Sequence, residues 1–380
     1  MFVAANTPSP VTADVIVIGA GIAGASVAWH LRGKARVILL EREAHPGYHT
    51  TGRSAAFYAQ TYGGADVQPL SFASKSFLFA PPAGFSAVPL VSPRGALYTA
   101  VPDQVQLLDR MYAQHRTLAP SLRFLSVSER MALAPMIRAP WHAAALYDPE
   151  CQDMDVAAIH AGFLRGQDVR TSAQIERIEK TTAGWQLTTT AGIFAADILV
   201  NAAGAWGDEV AILAGVAPLG LEPRRRTILA FTPETSKADP AAPLVLDAAE
   251  TFYFKPDGQD IWASPADETL SPPCDSQPDE MDIAITIDRI ERATSYKVKS
   301  IKRKWSGLRT FTPDRLPAFG YDPVAPNFFW CVGQGGWGIQ TAPAAGQLCA
   351  ALILNDALPA NITDVGITAK RYAPRSAGQD

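Results

Sequence analysis

Residues 14–24 read Asp14-Val-Ile-Val-Ile18 and then Gly19-Ala-Gly-Ile-Ala-Gly24, after which the pattern is helical to about Leu31. A short unbroken apolar run of this kind suits a strand buried on both faces of a parallel sheet. The glycines have separate tasks at the turn. Gly19 permits its tightness, Gly21 lets a pyrophosphate approach the backbone, and Gly24 lets helix and strand pack closely. Ile22 and Ala23 open a helix whose free N–H groups and partial positive charge suit phosphates. Arg36-Val-Ile-Leu-Leu-Glu41 supplies a second buried strand and completes a βαβ unit. Glu41 ends that strand seventeen residues beyond Gly24, where an acid accepts ribose hydroxyls and disfavours the extra phosphate of NADP. Strand, glycines, helix and acid together predict an adenine dinucleotide site. A ligand-free glycine turn would need only the glycines.

The 380 residues are more than one compact core usually needs, so two domains are expected. A composition 48% hydrophobic and 18% charged excludes a disordered chain, a coiled coil and a collagen-like fibre. The formal net charge of −4 offers no basic footprint for nucleic acid. Cys151, Cys274, Cys331 and Cys349 form no CxxC pair and are too few for a disulfide scaffold, which points to a reduced, cytoplasmic protein. His30, His45, His115, His142 and His160 form no ligand cluster, so no metal site is expected. Residues 1–13 lack Lys and Arg and include Pro8 and Pro10, unlike a secretion signal. The apolar stretch 15–29 is glycine-interrupted and too short to cross a bilayer, and no membrane span is expected.

Farther along, 155–165 reads as an amphipathic helix and 174–200 as an antiparallel meander, with Ile175, Ile178, Trp185, Leu187 and Ile193 among turn-forming Thr and Gly. Asp197-Ile-Leu-Val-Asn-Ala-Ala-Gly-Ala-Trp206 is a buried strand ending in small residues. After Pro218, strand-like blocks alternate with proline-rich loops at 232–243 and 269–278. The second, with Asp275, Asp279 and Glu280, reads as a solvated acidic loop. Phe328-Phe-Trp-Cys-Val332 is a strand meeting Gly333-Gln-Gly-Gly-Trp-Gly338, with a helix over 342–355, whereas 56–147 shows no clean period. Nucleotide-type strands at the start, middle and end imply an α/β fold in which one domain is assembled from separated segments. A Rossmann-like cofactor domain is expected over 12–80, 148–218 and 322–368. An α+β substrate domain with a mixed, mainly antiparallel sheet is expected over 81–147 and 219–321, and 369–380 as a flexible tail.

An NAD dehydrogenase would continue βαβαβ and complete its doubly wound sheet within about the next hundred residues. This chain instead runs into Glu41-Arg-Glu-Ala-His-Pro-Gly-Tyr-His-Thr-Thr-Gly-Arg-Ser54 and later adds a meander and a second glycine-rich strand-to-helix junction. That layout suits a larger ligand held along its whole length, which points to FAD. On these residues the chain resembles the D-amino-acid-oxidase-like flavoproteins, the group that includes glycine oxidase and sarcosine oxidase. Within that group it is most similar to the bacterial D-arginine dehydrogenase type of D-amino acid dehydrogenase. The likeness runs in order through VIVIGAGIAGAS (15–26), EREAHPGYHTTGRSAA (41–56), PPAGF (81–85), VNAAGAW (200–206), PLGLEPRRR (218–226), FYFKPD (252–257), WSGLR (305–309) and GQGGWGIQT (333–341).

The resemblance implies noncovalent FAD beneath a substrate-domain sheet. It places Glu41 and Arg42 at the adenosine end, with Ala173 and Gln174 at the adenine. Thr51, Gly52, Arg53, Ser54 and Ala55 would lie along the flavin and pyrophosphate, Ala202, Ala203, Gly204 and Trp206 near the ribityl chain, and Gly307 also against the cofactor. Gly335, Gly336, Trp337, Gly338, Ile339 and Gln340 would approach the pyrimidine edge of the flavin. Backbone N–H groups at a helix opening would there stabilise the charge of the reduced ring. His49 lies where some relatives attach FAD covalently, but the Thr-Thr-Gly-Arg-Ser run after it matches the noncovalent branch.

By the same resemblance Arg309 would pair with the substrate carboxylate through two parallel N–H bonds, and Tyr253 would assist it. Arg226, the last of three consecutive arginines, matches a second arginine near that carboxylate, and Tyr62 matches a tyrosine on the loop over the flavin. Each also has a plainer reading: a surface arginine, a core tyrosine, a solvated charge run. In the substrate pocket, shared with Gly336 and Gln340, the sequence departs from D-arginine dehydrogenase. Gly95 replaces the glutamate that pairs with a guanidinium, Phe57 a histidine, Ala59 a threonine, and Trp337 a tyrosine. A buried cation without its carboxylate is disfavoured by several kcal/mol. These changes therefore favour an apolar or aromatic D-amino acid, unless another acid replaces the lost one. The expected reaction is hydride transfer from the α-carbon to flavin, with oxygen, a quinone or another acceptor closing the cycle. Two other readings are oxidation of an N-substituted amino acid or a 2-hydroxy acid on the same fold, and an idle FAD-binding partner subunit.

Overall fold

The computed structural model describes residues 9–234 and 238–375. The start of the N-terminal stretch, three residues of the 232–243 loop and the last five residues lie outside the described residues. Five parallel strands stand side by side in the order Asp168–Arg170, Val37–Leu40, Val11–Ile18, Gly192–Asn201 and Phe328–Val332. Their apolar runs are buried because helices cover one face, Ile22–Leu31 and Gly338–Leu354 among them, and Ile16, Ile18, Leu199 and Trp330 pack into a second core on the other. The start of Gly192–Asn201 also closes the antiparallel meander formed with Ile175–Thr181 and Gly184–Thr189. The consequence for function is positional. Gly19, Glu41, Ala202 and Gly333 all follow carboxyl ends of these parallel strands, where open α/β sheets bind their ligands.

A second, nine-stranded sheet is mixed but mainly antiparallel. Its spine is the long antiparallel pair Glu222–Pro233 and Val298–Phe311, in which Arg224 stands opposite Arg309 and Arg226 opposite Gly307. Directly opposed residues share a face and alternate residues repeat it, so Arg226 and Arg309 project from the same side while Arg225 points away. Arg225 accordingly meets Asp282 at 2.8 Å on the helix Glu280–Ala293. A three-stranded sheet of Phe57–Tyr58, Val91–Pro93 and Gln152–Met154 carries the chain between the two large sheets.

Several expectations change. Ala318–Tyr321, within the expected substrate segment 219–321, instead forms an antiparallel edge of the first sheet and leads into Phe328–Val332. Asp279 and Glu280 are not loop residues. Asp279 caps the helix Glu280–Ala293 by accepting from the Met281 N–H at 2.8 Å, and Glu280 lies in its first turn, where a negative charge is favourable. Asp275, although exposed, is tied to Arg53 at 2.5 Å. The C-terminal helix begins at Gly338, four residues before the expected start. The described part of the expected tail is docked. Tyr372 is buried, its carbonyl accepts from Phe319 N–H and its hydroxyl donates to the Asp66 carbonyl, each at 2.6 Å.

Candidate active site

Two clefts run end to end beneath the parallel strands. One, with about 930 Å³ of free space, is lined by Gly19, Glu41, Arg42, Ala173, Gln174, Ala203 and Trp206. The other, about 1070 Å³, takes in Ile22, Ala23, Arg53, Ser54, Ala55, Gly307, Gly335, Gly338 and Ile339. Gly21, Thr51, Ala202 and Gly204 line both, so the clefts form one elongated track. A wider chamber of about 1590 Å³ joins the second cleft at Phe57, Tyr62, Arg226, Tyr253 and Arg309, and Trp337 lines it.

The track fits a dinucleotide on steric and electrostatic grounds. Gly19 has φ +96°, and a Cβ there would stand 2.6 Å from the Ala202 carbonyl. A Cβ on Gly24 would lie 2.0 Å from the Gly19 carbonyl, so that glycine serves the turn rather than the cleft lining. A Cβ on Gly21 would reach into the cradle, 3.2 Å from Thr51 Oγ1. Helix Ile22–Leu31 has no side-chain cap and no acid in its first turn, and the same holds for Gly338–Leu354. Two helix N-termini thus open on the cleft, a field suited to a pyrophosphate at one and to negative charge on a flavin ring at the other. Glu41 has its carboxylate at the turn: Oε2 accepts from the Ala20 N–H and Oε1 from the Glu43 N–H, both at 3.0 Å. These residues would hold FAD, which when bound supplies a two-electron acceptor.

Arg309 is half-buried, and its Nη1 donates to the Tyr62 hydroxyl at 2.8 Å. Burial opposes its charge, yet Tyr62, Tyr253 and Glu268 together offset this and its pKa stays above the usual arginine value. Gly336 abuts the guanidinium so closely that a Cβ would stand 2.8 Å from its central carbon. Arg226 lies 5.9 Å from the Tyr253 ring centre, donates to the Asp267 carbonyl at 2.8 Å and meets Glu268 at 3.2 Å. The loop carrying Tyr62 is fastened on two sides. Gln340 accepts from the Ala59 N–H at 3.1 Å and donates to the Tyr62 carbonyl at 3.3 Å, while Thr61 donates to the buried Asp148 at 3.0 Å.

Not every expected residue reaches a cavity. Gly52 sits in a turn, its N–H donating to the Gly47 carbonyl at 2.8 Å, and lines neither cleft. Gly95 lines none of the three spaces. Its φ is +72°, and an added Cβ would lie 2.4 Å from the Tyr147 hydroxyl, which fills the direction a side chain would take. Gln340 is spent on the loop bonds above and on Ser71 at 2.8 Å. The Arg53 guanidinium is turned to the Ser276 carbonyl at 2.9 Å and to Asp275. His49 lines only the cleft with Glu41 and Arg42, beside Glu43 at 2.9 Å and Trp206, away from the cleft that holds Gly335 and Ile339. Residues that sequence reasoning passed over include Thr50, Ile228, Gln334, Glu268 and Arg315. Ile228 could have been found by period-two spacing from Arg226; Glu268 and Arg315 carry no local signal.

A dinucleotide track that meets an arginine-anchored chamber is the layout of a redox enzyme with a large organic cofactor. The chain belongs to the DAO family, FAD dependent oxidoreductase, whose family model matches residues 14–352. It is 25% identical over 409 aligned residues to the Bos taurus FAD-dependent oxidoreductase domain-containing protein 1, covering 91% of this chain and 82% of that protein. It is 23% identical to the glycine oxidase of Geobacillus kaustophilus, covering 90% and 92% of the two chains. The crystal structure of glycine oxidase from that organism superposes with a TM-score of 0.82 at 19% identity, covering 96% and 98%. An L-proline dehydrogenase structure from P. horikoshii gives 0.81 at 20% identity with the same coverage, so the fold is shared across enzymes of different names.

Proposed function

We propose that this protein oxidatively deaminates a carboxylate-bearing amine, a D-amino acid with an apolar or aromatic side chain in the first instance, using noncovalent FAD. The observation that carries the reading is the convergence of Arg309, Tyr62, Tyr253 and Arg226 on the wall shared by the cofactor cleft and the chamber. Arg309 would grip the carboxylate, with Tyr253 beside it, and so fix the α-carbon in the cleft; orientation would supply most of the rate. The substrate ammonium must lose one proton before the α C–H bond breaks, and desolvation beside Arg309 lowers its pKa. The imine product leaves and hydrolyses in water to a 2-oxo acid and ammonia.

The side-chain preference rests on Phe57, Tyr62, Leu246, Phe311, Leu316 and Trp337, which line the chamber, rather than on Gly95. The strand segments within 12–80, 148–218 and 322–368, joined by Ala318–Tyr321, would serve the cofactor, and those within 81–147 and 219–317 the substrate. The position of His49 supports noncovalent binding. The low cysteine count without a CxxC pair supports a reduced cytoplasmic setting, and among the described residues no helix is long and apolar enough to cross a membrane.

The test is anaerobic bleaching of the flavin in the purified protein by a panel of D- and L-amino acids, their N-alkyl forms and 2-hydroxy acids. Rapid bleaching by apolar D-amino acids supports the proposal. Bleaching only by N-alkyl or hydroxy acids would move the reaction to that substrate class, and a yellow protein that nothing bleaches would sink the catalytic reading. Reoxidation by oxygen or by a quinone would then identify the acceptor.

A further inference from the structure

The chamber wall holds a second charged group, built on Arg226, to which the reaction above gives no step of its own. Glu268 is shared between two arginines: Oε1 lies 3.2 Å from Arg226 Nη2, and Oε2 lies 3.0 Å from Arg315 Nη2. Arg226 is the inner member, buried and two residues out of register with Arg309 on the same face of the long strand pair. Diagonal neighbours of this kind stand about 7–8 Å apart. Arg315 is the outer member, half-exposed, with its guanidinium 3.9 Å from the centre of the Phe311 ring.

The backbone that presents this group is strained. Six non-glycine residues among those described have positive φ, and three of them, Glu250, Ala266 and Arg315, line the chamber. Arg315 has φ +63°, and an alanine, an arginine or a glutamate in this region is disfavoured and persists only where the surroundings enforce it. Enforcement is visible: Arg289 ties the Thr251 and Pro265 carbonyls together, and the Arg315 N–H donates to the Thr312 carbonyl at 2.9 Å. Strain gathered around one cavity is characteristic of a functional wall rather than of a passive surface.

We propose that the Arg226–Glu268–Arg315 group sets the charge preference of the chamber. The inference rests on the proposed carboxylate anchor at Arg309. Together Arg309, Arg226 and Arg315 bring three positive charges against the single negative charge of Glu268. A bound carboxylate on Arg309 therefore leaves this cluster net positive, which repels a cationic side chain beside it and accepts a neutral or anionic one; Arg110, Asp247 and Glu250 also line the chamber, so the excess is local to the three arginines. Of the remaining carboxylates that line the chamber, Asp66 is paired with Arg371 at 3.2 Å and Asp314 with Arg375 at 2.5 Å. Asp247 is buried and accepts from the Thr251 hydroxyl at 2.7 Å, and Glu250 lies exposed at the mouth. Glu268 is a chamber-wall acid that could stand in for the glutamate missing at Gly95, but its two arginines deny it to a substrate cation.

Binding of carboxylates, read from the shift in flavin absorbance of the FAD-loaded protein, tests the group without requiring turnover. The probes are benzoate, 4-(aminomethyl)benzoate and terephthalate, with D-leucine, D-arginine and D-glutamate bleaching as a parallel series. Arg315→Gly removes the outer charge and relieves the positive φ, so it should fold at least as well as the parent. It should raise the affinity of the cationic probe relative to benzoate about threefold to tenfold, as expected for one unit charge at ~8–10 Å in a wet cavity. Glu268→Gln should move the ratio the other way by a similar factor and favour terephthalate. Opposite movements in the two variants support the proposal; unmoved ratios, or movement in the same direction, overturn it. If the probe ratios move as expected while no amino acid bleaches the parent, the charge assignment stands and the deamination reading falls.

Discussion

Gly336→Ala tests the anchor without touching it. The new methyl would sit 2.8 Å from both Cζ and Nη1 of Arg309 and 3.0 Å from Nε. Comfortable carbon contacts begin at about 3.5 Å, so the guanidinium must retreat by about 0.7 Å or more. It can retreat, because it ends a flexible side chain beside an open chamber, and the backbone at Gly336 is not in the left-handed region. Stability should therefore change little. The 2.8 Å bond to Tyr62 would stretch and the carboxylate grip would move with it. A misplacement approaching 1 Å can reduce rate by about a hundredfold, or about 2.7 kcal/mol of transition-state stabilisation. Anaerobic stopped-flow reduction of the bound flavin would show the loss in the limiting rate and in substrate affinity, while the oxidised spectrum and the denaturation midpoint stay near those of the parent. Parent-like reduction in Gly336→Ala would refute Arg309 as the anchor.

Three further outcomes are expected. Gln340→Leu keeps the volume but strands the Ala59 N–H and the Ser71 hydroxyl, and should destabilise the FAD-loaded protein by about 2–4 kcal/mol in urea denaturation; a loss below about 0.5 kcal/mol would mean the loop is held otherwise. His30 is half-buried beside Trp29 and Phe77, and this partial burial lowers its pKa from 6.5 to about 4. Between these values the unfolded chain binds the proton that the folded one refuses. Its share of stability is therefore complete above about pH 6.5 and falls by up to about 3 kcal/mol as pH drops to about 4. Burial shifts His115 and His160 in the same direction. Denaturation midpoints measured against pH should flatten in His30→Leu, and an unchanged slope would show that His30 is not the group responsible. Tyr372→Ala should cost about 3 kcal/mol, because a buried ring and its bond to Asp66 are lost, whereas a flexible tail would give almost nothing in the same denaturation assay.

The first βαβ unit was legible because its signals are local: an apolar run, three glycines and an acid within 28 residues, 14–41. The meander and the strand before Gly333 were legible for the same reason. Helix Gly64–Phe79 was not, because Val67, Gln68, Leu70, Ser71, Ala73 and Ser74 are all buried and leave no polar stripe to set a period. Helix Glu280–Ala293 does carry a stripe, with Ile283, Thr286, Ile290 and Ala293 buried, but its acidic start reads equally well as a solvated loop until Asp279 is seen to cap it. Strand pairing turns only Arg225 away, since Arg224 and Arg226 share the face of Arg309; Arg226 is separated from Arg224 because it alone lines the cleft and the chamber, while Arg224 is tied to Glu222. Gly95 failed in the opposite way. A resemblance supplied a pocket position, and the fold turned that position toward Tyr147.

The anchor and the cofactor edge are not independent features. Gly336 limits where the Arg309 guanidinium can stand, Arg309 binds the Tyr62 hydroxyl, and Gln340 binds the Tyr62 carbonyl. Gln340 belongs to the same turn-and-helix segment as Gly336, so the contacts form a closed circuit. Each member is held by two others, which is how a flexible arginine keeps one orientation without a permanent carboxylate partner. An arginine paired to a protein carboxylate would surrender its bidentate face before substrate arrived; a tyrosine hydroxyl occupies one donor and leaves the others available. Arg226, by contrast, is already paired with Glu268. On the proposed reaction, that difference would give the grip on substrate to Arg309 and the shaping of the chamber's charge to Arg226, a division that their similar positions on one sheet face would not by themselves disclose.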